Sequence, residues 1–253
     1  MQIIRSVSEF VLIRQSENYS DMSVGFVPTM GALHKGHLAL IDKSIEENDV
    51  TVVSIFINPT QFNDKKDFEN YPNTLNDDIK KLEHHEVDFL FLPNYDELFA
   101  DDYKYIVTEN DLSRKLCGAH RPGHFDGVLT VVIKLLNIVC ADYAYFGEKD
   151  YQQYLLIKGM VEALFLKTEI ISVGTVRDSD GLAFSSRNVR LSKSEREKAK
   201  LFPQILKNET DVSLIKAKLI ENGFIVDYIE CVGDRCFGAV KLGEVRLIDN
   251  VKK

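Results

Sequence analysis

Apolar residues along the chain gather into short, nearly unbroken runs, and the segments between those runs carry apolar residues at helical spacing. Residues 24–27, 50–57, 87–92, 142–146 and 168–173 form five such runs, rich in Val, Ile, Phe and Tyr. Runs of this length and composition predict strands buried on both faces of a parallel sheet. Between them Leu38, Ile41 and Ile45 fall at i, i+3 and i+7, and the sets Leu75, Ile79, Leu82 and Val128, Val132, Leu135, Val139 and Leu155, Leu156, Met160, Leu164 keep helical spacing too. Strand and helix thus alternate, the order of a parallel α/β sheet flanked by helices. Ser6 and Glu9 have capping-box spacing ahead of Phe10, Val11 and Leu12, which predicts a helix before the first strand. Beyond residue 175 the pattern changes: a second capping box at Ser192 and Glu195 opens a charged helix, another helix carries Val212, Ile215 and Leu219, and residues 225–231 and 245–248 read as short strands. The chain therefore reads as two units, residues 1–175 with the parallel sheet and residues 176–253 as a smaller C-terminal α+β domain able to close over the first as a lid.

Composition narrows the function classes. With 253 residues, 45% hydrophobic and 28% charged, the chain has ample material for a packed core. A net charge of −8 argues against a general nucleic-acid binder, so any anionic ligand needs locally placed positive groups. Cys117, Cys140, Cys231 and Cys236 show no C-x-x-C spacing, which predicts buried free thiols in a reducing cytoplasm and neither a disulfide framework nor a zinc site. No stretch reaches the length of a membrane span and the first residues lack a signal-peptide core, so a cytoplasmic protein without membrane partners is expected.

The densest candidate chemistry lies in residues 24–37, VGFVPTMGALHKGH, where the first run stops at Pro28 and a Gly- and His-containing turn leads into a helix. A helix N-terminus presents unpaired N–H groups and the positive end of its dipole to an anion, and Gly31 and Gly36 let backbone approach a ligand closely. His34 and His37 can donate hydrogen bonds to phosphate oxygens and, if charged, neutralise them. The turn is no Walker A, since His37 and Leu38 stand where Lys and Ser/Thr are required, and no G-x-G-x-x-G follows any strand. Asn58 and Gln61 follow the second run, at the strand end where ligands collect, with carboxamides suited to hydroxyl and carboxylate groups; a plain polar turn is the competing reading. Asp77 and Asp78 answer the dipole of a helix first turn. Residues 116–127 form a loop with His120, Arg121 and His124, in which Arg121 is a candidate anion contact. Gly147-Glu148-Lys149-Asp150 repeats the strand–turn–helix layout: Lys149 suits a phosphate that gains charge in a transition state, and Asp150 reads as the helix N-cap. Ser185, Ser186 and Arg187 place two hydroxyls and a guanidinium together, a set fit for pyrophosphate oxygens.

Four blocks in order, PTMGALHKGH, IFINPTQF, RPGHFDGV through FGEKDYQQ, and TVRDSDGLAFSSRN, closely resemble those of the pantothenate synthetases, or pantoate–beta-alanine ligases, of the HxGH nucleotidyltransferase superfamily. What the resemblance implies is a Rossmann-like sheet and ligation of pantoate to beta-alanine through pantoyl adenylate, with AMP and pyrophosphate released. It also implies ATP as a substrate accompanied by Mg2+, no tightly bound organic cofactor, small-molecule partners only, and a homodimer. Carried over residue by residue, Met30, Gly31, Ala32, Leu33, His34, Lys35, Gly36, His37, Gly147, Glu148, Lys149, Asp150, Val176, Phe184, Ser185, Ser186 and Arg187 would meet ATP. Among them His34, His37, Lys149 and Arg187 would be catalytic, with His37 also a proton donor. Gln61 and Gln153 would hold pantoate, and Gln61 would also meet beta-alanine. Asn73 and Phe184 stand where the family usually has arginine and methionine, so no anion contact is assigned to Asn73, whereas Phe184 keeps the bulk beside the nucleotide. The alternative reading is a nucleotidyltransferase acting on a phosphorylated acceptor.

Overall fold

The β-branched and aromatic runs become strands as their composition requires: β2 is Val24–Thr29, β3 Val50–Ile55, β4 Phe89–Phe91, β5 Tyr143–Gly147 and β6 Glu169–Val173. A short strand β1, Gln2–Ile4, comes before all of them and completes a six-stranded parallel sheet in the order β1-β4-β3-β2-β5-β6. The computed structural model describes every residue except Glu17, Asn18 and Ser20. Alternation along the strands sends Phe26, Val52 and Phe91 to one face, under the helices Val7–Arg14 and His124–Val139, and Val27, Val53 and Leu90 to the other, under Lys35–Glu47 and Leu75–His84.

The strand order reverses beside β2. From β2 the chain moves to β3 on one side, and it later returns to β5 on the other. The crevice beyond the carboxyl ends of β2 and β5 is therefore the topological switch point, where open α/β sheets bind ligands. Both glycine turns singled out in the sequence leave from these two strands.

After β6, Ser192 and Glu195 form the expected capping box and open the helix Lys193–Ala199, followed by Leu201–Asn208 and Val212–Glu221. Strands β7 Ile225–Val232, β8 Arg235–Leu242 and β9 Val245–Lys252 form an antiparallel sheet. One face of it contributes Tyr228, Phe237 and Ala239 to the main core. The other packs Ile229, Val240 and Leu247 on Phe202, Leu206, Ile215 and Leu219.

Three expectations are corrected. The first strand precedes the first helix, because β1 is a three-residue edge strand with only Ile4 buried, too short to show a pattern. Strand β8 joins the two short strands expected near the C-terminus; its buried interior includes Gly238 and Ala239 and shows no alternation, so no pattern marks it. The cysteines are not all buried free thiols: Cys231 and Cys236 face each other across the β7–β8 hairpin, Cα atoms 3.9 Å apart, and form a disulfide, while Cys140 is exposed and Cys117 alone is buried and free. Pairing across a tight hairpin makes neighbours of two residues whose spacing in the chain suggests nothing. No helix among the described residues is long and apolar enough to cross a membrane.

Candidate active site

The turn after β2 is held from below. Thr29 Oγ1 accepts from Gly31 N at 3.1 Å and donates to Ser54 O at 2.8 Å. Gly31 and Ala32 both take positive φ, 76° and 50°, and the Asp78 carboxylate accepts the next two amides, Ala32 N and Leu33 N, each at 2.8 Å. Thr74 Oγ1 adds a third hydrogen bond to Asp78 at 3.1 Å, and Lys81 Nζ donates to Leu33 O at 2.7 Å. Asp78 is only 1% exposed. It is more than a dipole-compensating acid: it fixes the loop. Its position three residues after Leu75 and four before the buried Leu82 was the available signal, an acid on the inward face of an amphipathic helix.

His34 is the N-cap of Lys35–Glu47. Its Nδ1 accepts from Gly36 N at 3.1 Å, and its own N–H donates to His37 Nδ1 at 3.4 Å. The imidazoles stack with centroids 4.0 Å apart. With both Nδ1 atoms accepting, each neutral ring carries its proton on Nε2, the nitrogen left for a ligand. Burial, with the charges of His37 and Lys149, lowers the His34 pKa to about 3, and burial with Lys149 and Lys81 lowers that of His37 to about 4. At neutral pH the pair thus offers N–H dipoles and no positive charge.

Charge comes from Lys149. The turn Glu148–Asp150 follows β5, and Lys149 Nζ sits 3.5 Å from Asp150 Oδ2. Asp150 occupies the N-cap position of Tyr151–Ala163, yet its side chain makes no capping hydrogen bond and lines the cleft. Glu148 turns away, its carboxylate 3.1 Å from Arg235 Nη2 and 3.4 Å from Ser172 Oγ.

The opposite wall carries carboxamides. Asn58, 1% exposed, donates to Gln61 Oε1 at 3.0 Å and to Gly127 O at 3.2 Å, so it orients Gln61 from behind. Gln61 Nε2 lies 3.2 Å from Met30 Sδ. The backbone carbonyl of Gln61 accepts from His124 Nδ1 at 2.8 Å and Arg121 Nη2 at 3.3 Å, so these loop residues buttress the turn. Burial beside Arg121 lowers the His124 pKa to about 3. Gly127 permits this closeness, because a Cβ there would stand 2.5 Å from Thr60 O and 2.8 Å from Gln61 N. Of the two glutamines opening Tyr151–Ala163, Gln152 is buried and bonds to Leu112 O, Lys115 O and Cys117 N, whereas Gln153 lines the cleft.

Residues after β6 close the third side. Ser186 Oγ pairs with Tyr71 Oη at 3.0 Å. Arg187 donates to Asp67 through Nε at 3.2 Å and Nη2 at 2.7 Å, and Arg190 Nη1 reaches the same carboxylate at 2.9 Å. Burial pushes the Asp67 carboxyl up, but the two arginines outweigh it and hold the group below the ordinary range. Asp67 and Tyr71 carry no sequence signal of this role; a solvated-looking acid among lysines gives no sign of a partner 120 residues away.

These walls enclose a cleft of about 210 Å³. Met30, His34, Gly36, His37, Gly147, Lys149, Asp150, Val176, Phe184, Ser185, Ser186 and Arg187 line it, as do Gln61 and Gln153. Gly31, Ala32, Leu33, Lys35 and Glu148 do not; the first three shape the turn through backbone, and Lys35 lies over the Phe184 ring at 5.5 Å. Phe56, Val128, Val131 and Leu135 supply an apolar patch beside the carboxamides. The cleft thus brings hydrogen-bond donors and an ammonium together with carboxamides and apolar side chains.

The chain matches the model of the Pantoate-beta-alanine ligase family over residues 2–252. Pantothenate synthetase of Bdellovibrio bacteriovorus is 54% identical over 251 residues, covering 99% of each chain. The crystal structure of pantoate-beta-alanine ligase from Francisella tularensis, complexed with beta-gamma ATP and beta-alanine, superposes with a TM-score of 0.96 at 42% identity, over 100% of this chain and 97% of that one. That of pantothenate synthetase from Thermus thermophilus gives 0.90 at 38% identity, over 100% and 99%. With similarity running from one end to the other in sequence and in fold, the chain belongs to the pantoate-beta-alanine ligase family.

Proposed function

We propose that this ligase works in two steps through pantoyl adenylate and releases AMP and pyrophosphate. The observation that carries the reading is the convergence of His34, His37 and Lys149 in one cleft with Gln61, Gln153 and the apolar side chains of Phe56, Val128 and Leu135. The ATP complex of the Francisella tularensis relative supports ATP as the nucleotide. ATP enters as its Mg2+ complex, the metal travelling on phosphate oxygens, which is how Mg2+ commonly reaches such sites.

In the first step a pantoate carboxylate oxygen attacks the α-phosphorus, the bond to the bridging oxygen breaks, and pyrophosphate leaves with the electron pair. Lys149 places its ammonium against the charge growing on the transferred phosphoryl group, and the Nε2–H groups of His34 and His37 donate to phosphate oxygens without reorganising. Being neutral, His37 contributes a hydrogen-bond donor in the free enzyme, not an acidic proton. Gln61 and Gln153 hold the hydroxyl and carboxylate of pantoate, whose paired methyl groups rest on Phe56, Val128 and Leu135. Positioning of this kind supplies most of what the step requires.

In the second step the free amine of beta-alanine attacks the acyl carbon, AMP departs with the electrons of the C–O bond, and the proton lost by the nitrogen passes to solvent. Gln61 meets the amine. Ser185, Ser186 and Arg187 lie against the pyrophosphate as it leaves in the first step, and residues 176–253 act as a lid over residues 1–175 that keeps water from the adenylate until the amine attacks. The test is product analysis: with ATP, pantoate and beta-alanine, anion-exchange chromatography is expected to show one AMP and one pyrophosphate per pantothenate. Formation of ADP and phosphate would overturn the scheme.

A further inference from the structure

The sequence Arg246-Leu247-Ile248-Asp249-Asn250 lies on β9, outside the phosphate and carboxamide walls, and the mechanism above assigns it nothing. Its last two residues are nonetheless among the few buried polar groups, Asp249 and Asn250 each 4% exposed, together with Arg235 of β8 at 5%. Asn250 Nδ2 donates to two successive carbonyls, Glu148 O at 2.8 Å and Lys149 O at 3.0 Å. Arg235 Nη1 donates to Asn250 Oδ1, which dictates which way the amide faces. The other arm of Arg235 reaches Glu148 Oε2 at 3.1 Å, and its guanidinium lies 3.8 Å from the Tyr151 ring centroid. Asp249 is fixed in turn by Arg177 through two bonds of 2.6 and 2.8 Å, and its Oδ1 accepts from Asn250 N at 2.8 Å.

The cap positions of the turn that carries Lys149, Gly147 and Asp150, give it no side-chain capping hydrogen bond. Two consecutive carbonyls held by one amide define the peptide plane on either side of the Lys149 Cα, and hence the direction in which its side chain leaves. The group that holds them comes from the C-terminal sheet, so the placement of that sheet and the aim of Lys149 are one geometric fact. We infer that Asn250, oriented by Arg235, is the positioning residue for Lys149. This rests on the assignment of Lys149 to the transferred phosphate.

Asn250→Asp keeps the shape and the arginine partner but sets an acceptor against the two carbonyls. Pantoate-dependent exchange of pyrophosphate into ATP is measured for wild type, Asn250→Asp and Asn250→Ala, with the nucleotide sites on each protein counted by ATP calorimetry. The expected result is a fall in kcat per competent site of about 10- to 100-fold, the scale of a displacement near 1 Å, with the KM for pantoate within about twofold. A purely structural role lowers the number of competent sites and leaves kcat per site unchanged. An unchanged kcat per site, or a rise in KM alone, overturns the inference. If the aspartate variant binds no nucleotide, Asn250→Ala, which adds no charge, decides by the same criteria. Absence of exchange in wild type would instead refute the reading of the first step, so the two failures are distinguishable.

Discussion

Replacing Asp78 tests whether the turn that carries His34 and His37 is preorganised by a buried carboxylate. In Asp78→Asn the shape is kept, but one of the two oxygens serving Ala32 N and Leu33 N becomes an NH2 group. One buried amide then faces a donor, at a cost of about 1–3 kcal/mol. Asp78→Ala strands both amides and frees Thr74 Oγ1; by the same scale this costs about 2–6 kcal/mol. Part of that is recovered, because Ala32 can relax from its left-handed conformation at φ 50°, which costs about 1–2 kcal/mol for an L-residue. The expected losses are therefore about 2 kcal/mol for the asparagine variant and about 3 kcal/mol for alanine. Urea unfolding at pH 7 reads them as shifts in midpoint at constant slope. Initial rates should show a raised KM for ATP in both, since His34 and His37 hang from the same turn. An Asp78→Asn protein within about 0.5 kcal/mol of wild type, the range of an ordinary surface change, would refute the reasoning.

Gly127→Ala sets a methyl group 2.5 Å from Thr60 O and 2.8 Å from Gln61 N, both backbone, so the turn must move. The expected result is a raised KM for pantoate with a smaller change in that for ATP, read from initial rates. Acid lability has a defined window. The folded pKa values of His34 and His124, about 3, and of His37, about 4, lie below the unfolded 6.5, so below pH 6.5 the unfolded chain binds protons that the folded chain refuses. Stability should be full above pH 6.5 and fall as pH drops toward 4, by at most about 1.4 kcal/mol per unit for each histidine. Urea midpoints at pH 7 and pH 5 check the sign, and His37→Gln should flatten the slope.

What the sequence disclosed and what it withheld divide along physical lines. Buried parallel strands must be apolar on both faces, so residues 50–55 announced β3 without help, and the helix before β3 was equally plain from Leu38 and Ile41. Groups that line the cleft were legible where unusual residue types crowd a turn, as at His34, His37 and Lys149. Residues that hold those groups were not. Asp78 reads first as an acid answering the helix dipole, its inward-facing position being the one sign of more, and Asn250 lies past residues 245–248, the last strand the pattern predicts. Asp67 drew no notice because its partners Arg187 and Arg190 lie far along the chain. The disulfide depended on the hairpin register, which β8 conceals by having no alternation. Local pattern reveals an element or a reactive group, whereas a support is defined by the tertiary contact it makes.

The most direct test of the central claim is exchange of labelled pyrophosphate into ATP, with Lys149→Ala beside wild type. The adenylation scheme predicts exchange that requires pantoate, proceeds without beta-alanine and falls by about a thousandfold or more in the variant, as expected when a preorganised charge is removed from a transition state. Exchange that needs beta-alanine, or a Lys149→Ala protein that exchanges at nearly the wild-type rate, would contradict it.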